Sequence, residues 1–317
     1  MKIKLLILSL VTMLVFILSI AIGPGEIQFG TQMFNEVILN IRLPRVFTAF
    51  MVGGILSLSG LLFQAMFRNS LATPYTLGVA SGASLGAAFY LVLGLSYTYT
   101  FFNGVTLFSF LGALSCVAFV YGLARTRGRV ETHTLLLSGI VISMLCSSLI
   151  LFIQFLGHER DALLMVRWLM GGLDVVGYSA PIRLAPFAVA ALIFSITKAS
   201  QLNILFLGDD LAISRGVDVT KLRRSLYFLN SLIIAAVVAE CGPIGFIGLV
   251  GPHISKKIFS SKHQELIPST FVLGGCLLML CDLIARNIMS ETQLPVGVMT
   301  ALLGGPFFLY LLLVRKK

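Results

Sequence analysis

The sequence predicts an all-α, polytopic membrane protein with about ten transmembrane helices, and three observations carry that prediction. Hydrophobic residues make up 57% of the 317 residues, charged residues make up only 11%, and the mean hydropathy is +0.98. Soluble proteins carry roughly 25% charged residues, because polar side chains must cover their surface in water. The composition therefore argues against a soluble enzyme, a disordered chain and a nucleic-acid-binding protein.

Ten apolar runs are predicted to span the membrane, since about 20 residues cross a bilayer as a helix. The first has eighteen residues without a charge. It is longer than the roughly 7–15 apolar residues of a cleaved signal peptide, so we interpret it as a retained span, with a signal peptide as the alternative. The seventh and eighth runs are separated at Cys241-Gly242-Pro243, because glycine and proline interrupt helices. The predicted spans are Leu5–Ile22, Pro44–Phe67, Pro74–Leu93, Val105–Leu123, Thr134–Phe155, Pro181–Lys198, Leu226–Cys241, Ile244–Phe259, Ile267–Ile288 and Leu294–Val314.

The net charge of +10 reflects how the chain is oriented in the membrane and does not indicate an acidic ligand. With the N-terminus inside, seventeen of the 23 basic residues fall in cytoplasmic segments, as the positive-inside rule expects. The predicted topology therefore has an even number of spans and both termini in the cytoplasm. The six basic residues on the outer side are Arg42, Arg45, Arg160, Arg167, Arg183 and Arg286.

Two connecting loops are long enough to have structure of their own. The outer loop, residues 157–179, contains an amphipathic stretch with the only tryptophan, Trp168. This stretch predicts either an interfacial helix or a helix that caps or gates a pathway. The inner loop, residues 200–225, predicts a short helix that starts with Asp209 and Asp210, ends at Gly216, and is followed by a second helix capped by Asp218 or Thr220. Such a cytoplasmic projection indicates a docking surface for another protein.

Enzyme and metal motifs are weak or missing in this sequence. Gly82-Ala-Ser84-Leu-Gly86 matches a nucleophile-elbow pattern, but it lies in an apolar helix, where the spacing of Gly78, Gly82 and Gly86 favours close helix packing. The chain has no Walker loop, so any ATP and Mg²⁺ chemistry belongs to a separate subunit. The four histidines and five cysteines show no metal-ligand spacing. We therefore predict no catalytic residue, no metal site and no cofactor bound by this chain.

Ionisable residues within the predicted spans are few. Among them we single out Glu240, Asp282 and Arg286, toward the outer or middle part of the helices. Each is costly in lipid unless it is paired or functional. Asp282 and Arg286 are four residues apart and can form an ion pair on one helix face. So few buried carboxylates argue against an ion-coupled secondary carrier, which stays the alternative from another class.

Seven stretches, in order and across nearly the whole chain, resemble the FecCD family, the permease subunits of ABC importers for ferric siderophores, haem and vitamin B12. The chain departs from the family pattern at Ser70, where Asn-Pro-Leu is usual, and at Glu240, where a small apolar residue is usual. The matching stretches are Arg42-Leu-Pro-Arg45, Gly60–Pro74, Leu77–Ala83, Leu202–Ala212, Gly242–His253, Asp282–Arg286 and Leu294–Thr300. Within them, the residues that we expect to serve helix packing are Gln64, Asn69, Pro74, Gly78, Gly82, Gly86, Gly245, Gly248, Pro252 and His253.

The resemblance implies a type II ABC importer permease architecture, with one transmembrane permease domain over residues 1–317. It implies a second permease subunit, identical or paralogous, two ATPase subunits and an extracytoplasmic binding protein, in a bacterial cytoplasmic membrane. Arg42, Arg45 and Arg286 match arginines that face acidic residues of the binding protein in relatives, with snorkelling at the interface as the alternative. The residues implied in ATPase coupling are Gly208, Asp209, Asp210, Leu211, Ala212, Arg215 and Gly216.

The cargo that the resemblance implies is an iron(III)–siderophore complex, with cobalamin or haem as the alternative. The family motifs do not separate these cargoes, because the binding protein selects the cargo. The mechanism expected from the resemblance is alternating access, driven by ATP hydrolysis on the separate subunits.

Overall fold

The computed structural model describes residues 2–23, 36–94, 103–126, 129–130, 132–259, 262–288 and 293–314. The predicted all-α class is confirmed, and each of the ten predicted spans corresponds to helical structure. Besides the helices, Arg125–Thr126 pairs with Arg129–Val130 as a two-residue antiparallel ladder. The helices are α1 Lys2–Ala21, α2 Leu43–Phe67, α3 Val79–Val92, α4 Gly104–Ala124, α5 Thr132–Leu156, α6 Glu159–Leu169, α7 Ser179–Phe206, α8 Asp209–Ser214, α9 Val219–Cys241, α10 Ile247–Ile258, α11 His263–Asn287 and α12 Val296–Val314.

Seven helices of the described residues are long and apolar enough to cross a membrane. Two further apolar helices, Val79–Val92 and Val296–Tyr310, are shorter. The predicted break between the seventh and eighth spans is confirmed, since α9 ends at Cys241 and Gly242 has a φ of 67°. Of the residues in the charge count, Arg127 and 315–317 lie outside the described residues.

Four predicted spans differ from the helices that form. The sixth, expected over Pro181–Lys198, continues as α7 to Phe206, and the seventh, expected from Leu226, begins as α9 at Val219, where Asp218 caps it. The inner loop is therefore shorter than the predicted residues 200–225. The span expected over Pro74–Leu93 is a 3-10 turn, Pro74–Leu77, followed by α3, because Gly78 has a φ of 78° and ends the turn. The second span begins earlier than Pro44, since a π-helical turn, Ile38–Arg42, leads directly into α2. In that turn the Leu43 amide donates to the Ile38 carbonyl, and this wider turn accommodates a proline inside a continuous helix.

The chain divides into two compact units. The first contains residues 1–61, 172–199 and 244–317, and the second contains residues 62–171 and 200–243. The prediction of one permease domain stays a prediction.

The first unit is built on close contact between helix backbones. A side chain at Gly60 of α2 would collide with the Gly248 carbonyl of α10, and one at Gly251 would collide with Ser57. Gly274 of α11 lies against the same serine. Small residues let backbones approach closely in a membrane, where van der Waals packing replaces the hydrophobic effect as the driving force.

The second unit contains α3, α4, α5, α6, α8 and α9. Gly82 and Gly86 of α3 lie directly against the α4 backbone, at the carbonyls of Gly112 and Phe108. Ser84 is buried between these glycines in a regular helix, which is not the strand-to-helix turn that a nucleophile elbow requires.

The amphipathic stretch predicted in the outer loop forms α6. Its Met165 is buried against Ala88 of α3 and Ile150 and Ile153 of α5. Leu163 and Leu164 stay exposed on the opposite side of the helix.

Candidate functional site

Three arginines and one aspartate form a buried cluster in the first unit, which we call the arginine cluster: Arg42, Arg45, Asp282 and Arg286. The exposed fractions are 6% for Arg42 and Arg45, 3% for Arg286 and 1% for Asp282. The cluster thus holds three positive charges and one negative charge away from solvent. Each of these groups requires a close partner, because an unpaired charge in a low-dielectric interior is costly.

Asp282 is the centre of the arginine cluster. Its Oδ1 accepts a hydrogen bond from the Arg45 Nε, and its Oδ2 contacts the Arg286 Nε, both at 2.9 Å. The Arg45 Nη1 also donates to the Gln293 side-chain oxygen at 2.6 Å. The pair of Asp282 and Arg286 was expected from their spacing on one helix, whereas the bond to Arg45, 237 residues away, was not.

The guanidinium groups of Arg42 and Arg286 cap the C-terminal end of α1. Arg42 donates to the carbonyls of Ile20 and Ala21, at 3.0 and 2.9 Å, and Arg286 donates to the Ser19 carbonyl at 3.0 Å. The last carbonyls of a helix have no partner within the helix and carry a partial negative charge. The arginine cluster therefore holds the ends of α1, α2 and α11 together in the first unit.

The inner loop forms a compact projection in the second unit, which we call the coupling segment, residues 206–218. Its short helix α8 ends in a Schellman motif, since the Gly216 amide donates to Ile213 and the Val217 amide donates to Ala212. Gly216 has a φ of 78°, and the Asp218 carboxylate caps α9 by accepting from the Lys221 amide at 2.9 Å. Ala212 is fully buried.

The outer face of the coupling segment is apolar. Leu211 is 51% exposed and Ile213 is 62% exposed, and the preceding Phe206 and Leu207 are exposed as well. Asp210 and Arg215 are exposed beside them. Exposed apolar residues rimmed by polar ones are typical of protein–protein contact surfaces.

Asp209 attaches the coupling segment to two membrane helices. Its carboxylate is held by both terminal nitrogens of Arg223 on α9, at 2.9 Å, and by Arg68 at 3.3 Å. Arg68 follows the last residue of α2 and has a φ of 49°, a left-handed conformation that favours glycine. Sequence reasoning missed this three-residue ion-pair network, because nothing in the local sequence pairs residues 68, 209 and 223.

The predicted packing residues lie in both units. In the second unit, Gln64 is buried in α2, the Asn69 side chain accepts from the Leu71 amide, and Pro74 begins the 3-10 turn. In the first unit, Gly245 precedes α10, Pro252 lies within it, and the His253 ring packs edge-on against Phe307. No group of three or more His, Cys, Asp or Glu side chains comes together among the described residues.

Known proteins resemble this chain over nearly its whole length. The hemin transport system permease protein HmuU of Yersinia pestis is 36% identical over 88% of this chain and 84% of its own length. The cobalamin import system permease protein BtuC of Halobacterium salinarum is 36% identical over 92% of this chain and 78% of its own length. A solved structure of an inward-facing metal-chelate type ABC transporter matches with a TM-score of 0.86 and 29% identity, and the match covers 98% of both chains.

The model of the FecCD transport family matches residues 5–314, which is almost the entire chain. Together with the helical fold and the full-length relatives, this match identifies a multi-pass membrane protein that acts as the permease subunit of an ABC importer. Such subunits are transport components and are not themselves enzymes. The chain belongs to the FecCD transport family.

Proposed function

We propose that this permease carries an iron(III)–siderophore complex across the bacterial cytoplasmic membrane, with both termini in the cytoplasm. The observation that carries the mechanism is the coupling segment, an exposed apolar helix that ion pairs attach to two membrane helices. One of two ATPase subunits docks on that segment, and a second permease subunit, which binds the other ATPase subunit, completes the pathway. Support for a metal-chelate cargo comes from the metal-chelate transporter that matches the fold. Haem and cobalamin are the competing cargoes, because permeases for both are 36% identical to this chain.

Radiolabelled uptake distinguishes the three cargoes. In cells that lack the chromosomal permease but express this chain with its partner subunits, we expect uptake of ⁵⁵Fe-loaded siderophore to depend on the chain. Unlabelled haem and cobalamin should not compete for that uptake. Uptake of labelled cobalamin or haem, without uptake of any ferric siderophore, would refute the proposed cargo while leaving the transport mechanism intact.

The arginine cluster is the proposed docking region for the binding protein. Opposite charge across such an interface sets orientation and association rate more than affinity. The arginines are buried and hold partners within the chain, so a substitution by glutamate would place a second carboxylate beside Asp282 and disturb the fold. Arg42 is the best position for a test, because it donates to the backbone carbonyls of Ile20 and Ala21 and not to Asp282.

Arg42→Gln is expected to lower the stimulation of ATPase activity by the loaded binding protein. One lost charged contact is worth about 1.5–3 kcal/mol, so the concentration of binding protein for half-maximal stimulation should rise about tenfold or more. Basal ATPase activity of the assembled transporter should stay within about twofold, since we place no ATP chemistry on this chain. The measurement is ATPase activity in proteoliposomes as the binding protein is titrated.

Arg160→Gln is the matched control for Arg42. Arg160 is an exposed arginine on the predicted outer side and lies outside the arginine cluster. If both variants weaken stimulation equally, the effect is one of general surface charge, and Arg42 is not a docking residue.

A further inference from the structure

A small cavity in the second unit has no role in the transport mechanism described above. It lies between the end of α2, the last turn of α4 and the starts of α5 and α9, and its volume is about 40 Å³. One water needs roughly 10–15 Å³ of such space, so the cavity holds about three waters or one phosphate group. It is far below the roughly 300–1,000 Å³ of pockets for larger ligands. A metal chelate or a corrinoid therefore does not fit. We call it the Arg224 cavity, and its lining includes Tyr121, Thr132, Thr220, Arg223, Arg224 and Tyr227.

The lining of the Arg224 cavity carries positive charge and hydrogen-bond donors. Arg223 and Arg224 both line it, and no acidic side chain does. Arg224 is exposed and makes no ion pair with any described residue, and the hydroxyls of Thr132 and Thr220 supply further donors. A site with this balance favours an anion whose oxygens accept several hydrogen bonds.

Arg223 lines the cavity and also belongs to the ion-pair network of the coupling segment. Its two terminal nitrogens bind the Asp209 carboxylate, as described above. Its Nε is buried and has no hydrogen-bond partner among the described residues. A buried donor without a partner is costly, and Arg223 contributes its positive charge to the lining of the cavity.

The position of the cavity along the helices matches the level of lipid headgroups. In the proposed orientation, the ends of α2 and α4 and the starts of α5 and α9 all lie at the cytoplasmic membrane surface. The aromatic side chains of Tyr121 and Tyr227 stack there at a centroid distance of 5.8 Å, and tyrosine is enriched at membrane interfaces. Basic pockets between membrane helices on the cytoplasmic side bind anionic lipid headgroups.

We propose that the Arg224 cavity binds a phosphate-bearing anion, supplied by the headgroup of an anionic phospholipid of the cytoplasmic leaflet. The phosphate oxygens accept hydrogen bonds from Arg224 and from the threonine hydroxyls, and the positive charge of Arg223 lies beside them. The lipid source, but not the phosphate chemistry, rests on the proposed orientation. Free inorganic phosphate is the other source of the same chemistry.

The test is lipid retention by the assembled transporter, measured by native mass spectrometry as phosphatidylglycerol is titrated. Arg224→Gln is expected to weaken phosphatidylglycerol binding about tenfold, because it removes a charged hydrogen-bond donor. Lys221→Gln is the matched control, since it removes one exposed positive charge from the same helix but does not line the cavity. That control should change binding less than twofold.

Two further arms separate the two possible sources of the anion. Inorganic phosphate is titrated as a competitor, and phosphatidylcholine replaces phosphatidylglycerol as a lipid without net charge. Phosphate binding that Arg224→Gln weakens, with no specific retention of phosphatidylglycerol, would support the anion site and assign it to free phosphate. Equal binding by Arg224→Gln and Lys221→Gln in both arms would overturn the proposal.

The proposed orientation is tested separately by labelling Lys221→Cys with a membrane-impermeant maleimide. Labelling only after the cells are opened supports a cytoplasmic position for the start of α9. Labelling of intact spheroplasts would overturn the proposed orientation and the lipid source. The result on anion binding at the Arg224 cavity does not depend on the orientation and would be unaffected.

Discussion

Asp282→Ala is expected to destabilise the permease by about 3–5 kcal/mol, because removal of one partner leaves a buried charge uncompensated. Asp282 is the carboxylate that both Arg45 and Arg286 contact in the arginine cluster. Without it, the buried guanidinium groups of Arg45 and Arg286 lose their carboxylate partner. The readout is the apparent melting temperature and the monodisperse yield of the detergent-solubilised protein.

Asp282→Glu separates charge from packing at this position. It keeps the negative charge and adds one methylene, so we expect it to recover a large part of the stability that Asp282→Ala loses. An unchanged melting temperature in Asp282→Ala would show that the ion pairs contribute nothing net to stability. Equal losses in both variants would show that shape, and not charge, determines the effect.

Asp209→Asn is expected to reduce transport by about three- to tenfold. It removes the ion pairs to Arg68 and Arg223, which at this partly exposed position are worth about 0.2–1 kcal/mol each, while a barrier change of 1.36 kcal/mol alters a rate tenfold. The ion pairs attach the coupling segment to α2 and α9, so their loss should lower uptake per ATP hydrolysed. Uptake and ATPase activity of the same proteoliposomes give that ratio.

Asp210→Asn is the matched control for Asp209. Asp210 is the neighbouring residue in the first turn of α8, is exposed, and makes no ion pair with any described residue. We expect its uptake to stay within about twofold of the unchanged protein, in line with the small effect of surface charges away from contacts. A loss of uptake equal to that of Asp209→Asn would refute the specific role of the ion pairs.

Leu211→Glu tests docking of the ATPase subunits separately from transmission. It places a charge on the exposed apolar face of the coupling segment, and burying an unpaired charge in an interface is strongly unfavourable. The ATPase subunits should therefore no longer copurify with Leu211→Glu, whereas they should copurify with Asp209→Asn. Full copurification and uptake by Leu211→Glu would refute the assignment of this face to the ATPase.

The coupling segment shows how much of the structure can be predicted from residues that are neighbours in the sequence. Its short helix and the glycine that ends it were predicted from residues next to one another in the chain, and Asp218, which caps the next helix, was one of the two candidates for that cap. Such signals are local, because capping bonds and backbone conformation involve only a few consecutive residues. The same holds for the break after Cys241 and for the pairing of Asp282 with Arg286.

The sequence by itself determined the membrane-spanning class, the approximate spans and the family. Hydropathy, charge bias and motif order depend only on the order of residues in the chain and not on their three-dimensional contacts. Only the tertiary structure showed that Arg45 shares Asp282 with Arg286, and that Arg42 caps α1 instead of standing free. It also brought Arg68 and Arg223 to Asp209. These contacts join residues far apart in the chain, and their partners follow from how the helices pack. Three of the six arginines that a linear topology places on the outer side, Arg42, Arg45 and Arg286, are therefore buried. Any docking partner that uses them must reach charges that already have partners within the chain.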